Sequence, residues 1–72
     1  MEYTVIIHPA EEGGYWAEVP VLSGCYSQGE TIEEVLHNIQ EAIELHIEAM
    51  KEEQEIIPQD TEFVLSRVSV AI

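Results

Sequence analysis

The side chains with the greatest chemical potential in this sequence are one cysteine, three histidines and fifteen acidic residues. Cys25 beside a histidine would form a nucleophile and base pair if the two groups were within hydrogen-bonding distance. A lone cysteine in a short strand next to a glycine is more typical of a small packing residue. We therefore predict that Cys25 packs in the core. A single cysteine also excludes an internal disulfide and indicates a reducing compartment.

The histidines are poorly spaced for binding a metal ion. His37 and His46 are nine residues apart on a predicted helix, which places them about 180° apart around its axis. Glu33, Glu34 and His37 share one helix face, but this spacing is equally typical of a solvated surface. We therefore predict no metal and no cofactor.

The carboxylates lack the arrangement that a two-metal nuclease requires, which is convergence from adjacent strands. The predicted first strand, 3–7, carries no acidic residue, and the predicted last strand, 62–71, carries only Glu62. No nucleotide-binding, CxxC or HExxH motif is present. The sequence therefore predicts no enzyme, and an enzyme or small-ligand binder is the alternative that a metal titration and a nuclease assay would test.

The net charge of −13, with only Lys51 and Arg67 as basic residues, narrows the choice of partner. Nucleic acids and anionic membranes attract basic surfaces, so direct binding to either is not expected. A basic protein is the natural partner, although such a charge can also serve only to keep a small domain in solution. We find no signal peptide and no apolar run long enough to span a bilayer, and predict a cytoplasmic protein.

The pattern of apolar residues predicts the element order β-β-β-α-β. The long segment 29–53 has the i, i+3, i+4, i+7 periodicity of an amphipathic helix. Thr31 and Glu34 form a predicted capping box at its start, and Pro58 prevents its continuation, so we expect fraying between residues 50 and 55. The predicted strands cover residues 3–7, 15–19, 25–28 and 62–71.

These elements predict one α+β domain over residues 1–72, with a four-stranded mixed sheet in the order 3-2-1-4. The first three strands form an antiparallel meander, and the helix is a right-handed crossover to the last strand. One helix covers only one face of such a sheet, and a 72-residue chain has a thin core. Self-association into a dimer or tetramer, through the open face or the last strand, is therefore expected.

Three consecutive segments form a recognisable pattern: Gly14-Tyr-Trp-Ala-Glu-Val-Pro20, Leu22-Ser-Gly-Cys25 and Gln28-Gly-Glu-Thr-Ile-Glu-Glu-Val35. Together with the helix over residues 38–44, these segments resemble the HicB antitoxin family. The resemblance spans residues 3–50. It implies a partial ribonuclease-H-like fold that lacks the catalytic carboxylates.

The resemblance also implies a function and a partner. HicB-like proteins neutralise a small basic mRNA-cleaving toxin, HicA, by occluding its surface, and commonly self-associate. Many members continue into a DNA-binding domain. Here the chain ends after the last strand, so we expect no C-terminal DNA-binding domain and no direct DNA binding. The alternative is an orphan structural or regulatory homo-oligomer of the same family without a toxin partner.

Candidate partner-binding residues lie on the second strand and on the polar face of the helix. Trp16 either contacts a partner or packs within the sheet, and the glutamates either contact a basic surface or are only solvated. The predicted binding residues are Trp16, Glu18, Glu33, Glu41, Glu44 and Glu48.

Overall fold

Side chains of the central strand alternate between the two faces of the sheet, and the helix covers one of these faces. In the computed structural model, which describes residues 1–72, Ala17 is completely buried beneath the helix. Trp16 and Glu18 point to the opposite, helix-free face, as the alternation predicts. The elements are β1 (Ile6–Pro9), β2 (Tyr15–Glu18), β3 (Tyr26–Gly29) and α1 (Ile32–Glu52). Both strand pairs are antiparallel and the sheet order is β1-β2-β3, which confirms a small α+β domain.

The close approach of α1 to the end of β3 depends on Gly29. A Cβ atom at this position would lie 2.6 Å from the backbone nitrogen of Val35 and 3.0 Å from its Cα atom. The Asn38 side-chain amide also donates to the Gln28 carbonyl at 2.8 Å. The helix therefore begins tightly against the sheet.

The start of α1 has the predicted N-cap, with one difference in detail. The Thr31 hydroxyl accepts a hydrogen bond from the Glu34 backbone N–H at 3.0 Å. The Glu34 carboxylate accepts from the N–H of Glu30 at 3.2 Å, one residue before the cap that a standard capping box would use. Both acceptors satisfy backbone donors near the helix start.

The end of α1 is closed rather than frayed, which the sequence did not predict. Gln54 has a φ of 58°, and its N–H donates to the Lys51 carbonyl at 3.1 Å. The Glu55 N–H donates to the Met50 carbonyl at 2.9 Å. These two bonds form a Schellman motif, which usually has glycine at the position that Gln54 occupies here.

The core includes the connection between β2 and β3. Leu22 lies in a turn whose backbone hydrogen bonds link Val19 to Leu22 and Leu22 to Cys25, and all three side chains are buried. Burial raises the pKa of the Cys25 thiol because the thiolate would lose its hydration. Cys25 is thus a packing residue, as predicted. The buried set is Ala17, Val19, Leu22, Cys25, Val35 and Ile39.

The predicted fourth strand, 62–71, does not join the sheet, so the order 3-2-1-4 is replaced by three strands. Residues 61–72, which we call the arm, are all exposed and form no ladder with β1. β-Propensity reports how well a segment fits a pleated surface, but it does not supply the neighbouring strand. The arm has strand-like residues without a partner in its own chain.

Candidate partner-binding surfaces

The helix-free face of the sheet carries a compact aromatic and polar cluster. The His8 and Trp16 rings are stacked, with centroids 4.2 Å apart and planes inclined by 19°. Trp16 also lies 6.2 Å from the ring of Tyr26, which is 61% exposed. His8 Nε2 is 2.6 Å from a carboxylate oxygen of Glu18. We call His8, Trp16, Glu18 and Tyr26 the sheet cluster.

The register of the strands brings the sheet cluster together. His8 lies opposite Trp16, and Glu18 lies opposite both Ile6 and Tyr26 on its two neighbouring strands. Of these four residues, Trp16 and Glu18 were predicted from the sequence as binding residues, and His8 and Tyr26 were not. Their positions follow only once the length of the β1–β2 turn and the boundary of β3 are known, because a shift of one residue reverses the face of every side chain.

The outer face of α1 carries the other four predicted residues. Successive helix residues are rotated by about 100°, so these four side chains span about 80° of the helix circumference. All four are exposed. His37 lies within the same arc, with Nε2 3.2 Å from a carboxylate oxygen of Glu41. We call Glu33, Glu41, Glu44 and Glu48 the acidic stripe.

The acidic stripe has no lysine or arginine partner within the chain. Ion-pair contacts in the structure are limited to His8 with Glu18 and His37 with Glu41. Lys51 and Arg67 take part in neither. The charge on this face is therefore available to another molecule.

The structure does not bring the six predicted binding residues into one site. α1 uses Val35 and Ile39 to pack on the sheet, so the acidic stripe faces away from it, while Trp16 and Glu18 lie on the opposite side of the sheet. The two groups must be considered as separate surfaces.

The structure contains neither a metal-binding cluster of side chains nor a helix that could span a membrane. No group of three or more histidine, cysteine, aspartate or glutamate side chains is arranged to hold a metal ion. Cys25 is packed among apolar side chains of the core. α1 is too polar to cross a membrane, and no helix meets that requirement.

Comparisons with known proteins agree with this fold. A family described as the HicB-like antitoxin of bacterial toxin-antitoxin systems matches residues 3–68. A UPF0150 protein of Thermoplasma acidophilum is 52% identical over 60 residues, which cover 83% of this chain and 87% of that protein. A UPF0150 protein of Synechocystis is 41% identical over 70 residues, covering 97% and 87% of the two chains.

The crystal structure of the antitoxin HicB of Burkholderia pseudomallei also matches, with a TM-score of 0.70 and 34% sequence identity. The match covers 93% of this chain and 48% of HicB, so this chain spans about half the length of that antitoxin. Since the family match covers most of the chain and the structural likeness extends over nearly all of it, this chain belongs to the HicB-like antitoxin family.

Proposed function

We propose that this chain binds and neutralises a small basic HicA-like mRNA-cleaving toxin through the acidic stripe. The observation that carries the proposal is the set of exposed glutamates on one helix face without a lysine or arginine partner in a chain of net charge −13. Family membership supports an antitoxin-type role.

Occlusion follows from the chemistry of the two surfaces. A ribonuclease that binds RNA needs lysine and arginine side chains for the phosphates. Carboxylates on a rigid helix can pair with the same side chains, so an antitoxin and RNA would compete for one surface. The field of a strongly acidic protein also accelerates encounter with a basic one, especially at low salt. The same charge disfavours direct binding of nucleic acid by this chain.

The test uses two variants that change the net charge equally. Glu41→Lys/Glu48→Lys reverses charge within the acidic stripe, and the control Glu11→Lys/Glu12→Lys reverses it in the exposed β1–β2 turn. We expect the stripe variant to bind a purified HicA-like ribonuclease at least about tenfold more weakly, because close interfacial charge pairs contribute about 1.5 kcal/mol or more. The control should lose much less. Calorimetry and an RNA-cleavage assay measure binding and neutralisation.

Other outcomes would contradict the proposal in recognisable ways. Equal losses in both variants would mean that net charge, rather than the stripe, determines affinity. If Trp16→Ala abolished binding while the stripe variant bound normally, the toxin would dock on the sheet cluster, where a large aromatic residue is a typical binding hot spot.

The exposed arm favours a second candidate function, an orphan homo-oligomer of the same family. Such a protein would form a stable dimer or tetramer and would leave a HicA-like ribonuclease fully active. The cleavage assay therefore separates the two functions.

A further inference from the structure

The large apolar side chains of the arm are all exposed. Val64 is 93%, Val68 is 82% and Val70 is 72% exposed. No backbone group of the arm forms a hydrogen bond with another backbone group, and the Ser66 hydroxyl donates to the Arg67 carbonyl. An extended, β-branched segment with free backbone donors and acceptors is a template for strand pairing.

An apolar groove lies between residues 1–5, which lead into β1, and α1. β1 pairs only with β2, so its other edge is open. The groove has a volume of about 840 Å³. Its apolar lining comes from Met1, Tyr3, Val5, Leu36, Ile39, Ile43 and Ile47.

The start of the arm is fixed at one end of this groove. The Tyr3 hydroxyl donates to the Pro58 carbonyl at 2.6 Å, and the Thr4 hydroxyl donates to the Asp60 carboxylate at 2.7 Å. Beyond Asp60 the arm leaves the domain, and the longest dimension of the molecule is 48 Å. The groove therefore remains empty although a matching strand starts beside it.

We propose that the arm of one copy occupies the groove of a second copy, adding a fourth strand to the outer edge of its β1, and that the exchange is reciprocal. This arrangement would bury both arms and cover both open edges in a closed two-fold dimer. It accounts for a strand-like sequence that has no strand partner in its own chain. The proposal does not depend on binding of a toxin.

Charge identifies a second copy as the occupant. The arm contains one acidic and one basic side chain, Glu62 and Arg67, and is therefore neutral, whereas the groove has Glu2, Asp60 and Glu44 of the acidic stripe among its lining residues. Two acidic domains repel each other, and the arm is the segment of this chain that can approach another copy without that repulsion. A basic toxin would instead be attracted to the acidic stripe.

Two variants and one control test the exchange. Val68→Asp/Val70→Asp places charges in the arm, and Leu36→Asp places a charge in the groove. Leu36 is 46% exposed, so the Leu36→Asp variant should still fold. Leu45→Asp is the matched control, because Leu45 is a 67% exposed residue of α1 that does not line the groove. Circular dichroism verifies that each variant is helical.

The native chain and the control should have twice the 8.1 kDa chain mass in light scattering and native mass spectrometry. The arm and groove variants should each be monomeric. An equimolar mixture of the two should recover a species with one copy of each, because one intact arm and one intact groove remain. Complementation of this kind requires an arm to bind a groove in another molecule.

Several results would overturn the proposal. A monomeric native chain would mean that the arm closes on its own domain or stays free. A groove variant that dimerises alone would indicate pairing between arms or between sheet faces. If the arm variant kept the oligomeric mass of the native chain but bound a HicA-like ribonuclease more weakly, the arm would be a toxin-binding segment instead. Because the arm and groove variants keep the acidic stripe, loss of the dimer with full toxin neutralisation would leave the proposed function intact.

Discussion

Residues 1–60 and the arm are both rich in apolar side chains, but buried apolar side chains occur only in residues 1–60. Leu22 is 2% exposed although it lies in a turn, whereas Leu65 is 78% exposed although its neighbours have high β-propensity. The turn is held by backbone hydrogen bonds that direct Leu22 inward. Burial in this chain therefore depends on whether a segment has other residues to pack against, rather than on its local secondary-structure preference.

Replacing one leucine by alanine in each region should give the largest difference in the free energy of unfolding. Leu22→Ala should reduce the free energy of unfolding by about 2–5 kcal/mol, since it removes buried methyl groups and leaves a cavity. Leu65→Ala should change it by less than about 0.5 kcal/mol in the monomeric Val68→Asp/Val70→Asp background. Urea denaturation measures both values.

A large loss for Leu65→Ala in that monomeric background would show that the arm packs on its own domain. If the proposed arm exchange forms a dimer, the same substitution in the native background should have an effect that depends on protein concentration, because a dimer contact adds to stability by mass action.

Gly29→Ala should give the next largest effect, and it tests the packing of α1 on the sheet within residues 1–60. Its Cβ would meet the backbone of Val35, which cannot move without shifting α1, so we expect a loss of about 1–3 kcal/mol in urea denaturation. Gly13→Ala is a useful control because no atom lies within 4 Å of its Cβ, and it bears only the strain of a φ of 100°. If Gly13→Ala reduced the free energy of unfolding more than Gly29→Ala does, the close contact between α1 and the sheet would not explain the need for glycine at position 29.

The smallest effect concerns the boundary between the two regions, at Asp60. The backbone and hydroxyl groups of Thr4 lower the pKa of Asp60 below its ordinary value of 3.8, because they favour the carboxylate. This contact therefore stabilises the native state above the unfolded pKa, and its contribution is lost as the pH falls through the lower folded pKa.

Hydrogen exchange at the Thr4 amide should thus be insensitive to this group between pH 7 and pH 5, after correction for intrinsic rates, and local protection should fall below about pH 3.8. Asp60→Asn should remove that acid step at Thr4 without changing the acid sensitivity of α1. An identical acid step in the variant would mean that another carboxylate controls this junction.

Local sequence patterns predicted three strands, one long helix, its N-cap and the faces of Trp16, Ala17 and Glu18, although the first strand lies at Ile6–Pro9 rather than at 3–7. Those features depend on contacts or periodicities over a few residues, so they can be predicted from local patterns. The same is true of the acidic stripe, which follows from helical spacing alone. Family membership also followed from motifs of this local kind.

Which of these side chains lie close together depends on the tertiary structure. Strand register placed His8 and Tyr26 beside Trp16, and packing of α1 separated the acidic stripe from the sheet cluster. A glutamine accepted the left-handed conformation that closes α1, where glycine would have been the recognisable signal. The arm kept its strand-like sequence without a strand partner, because β-pairing needs a second edge and local sequence cannot say which molecule supplies it.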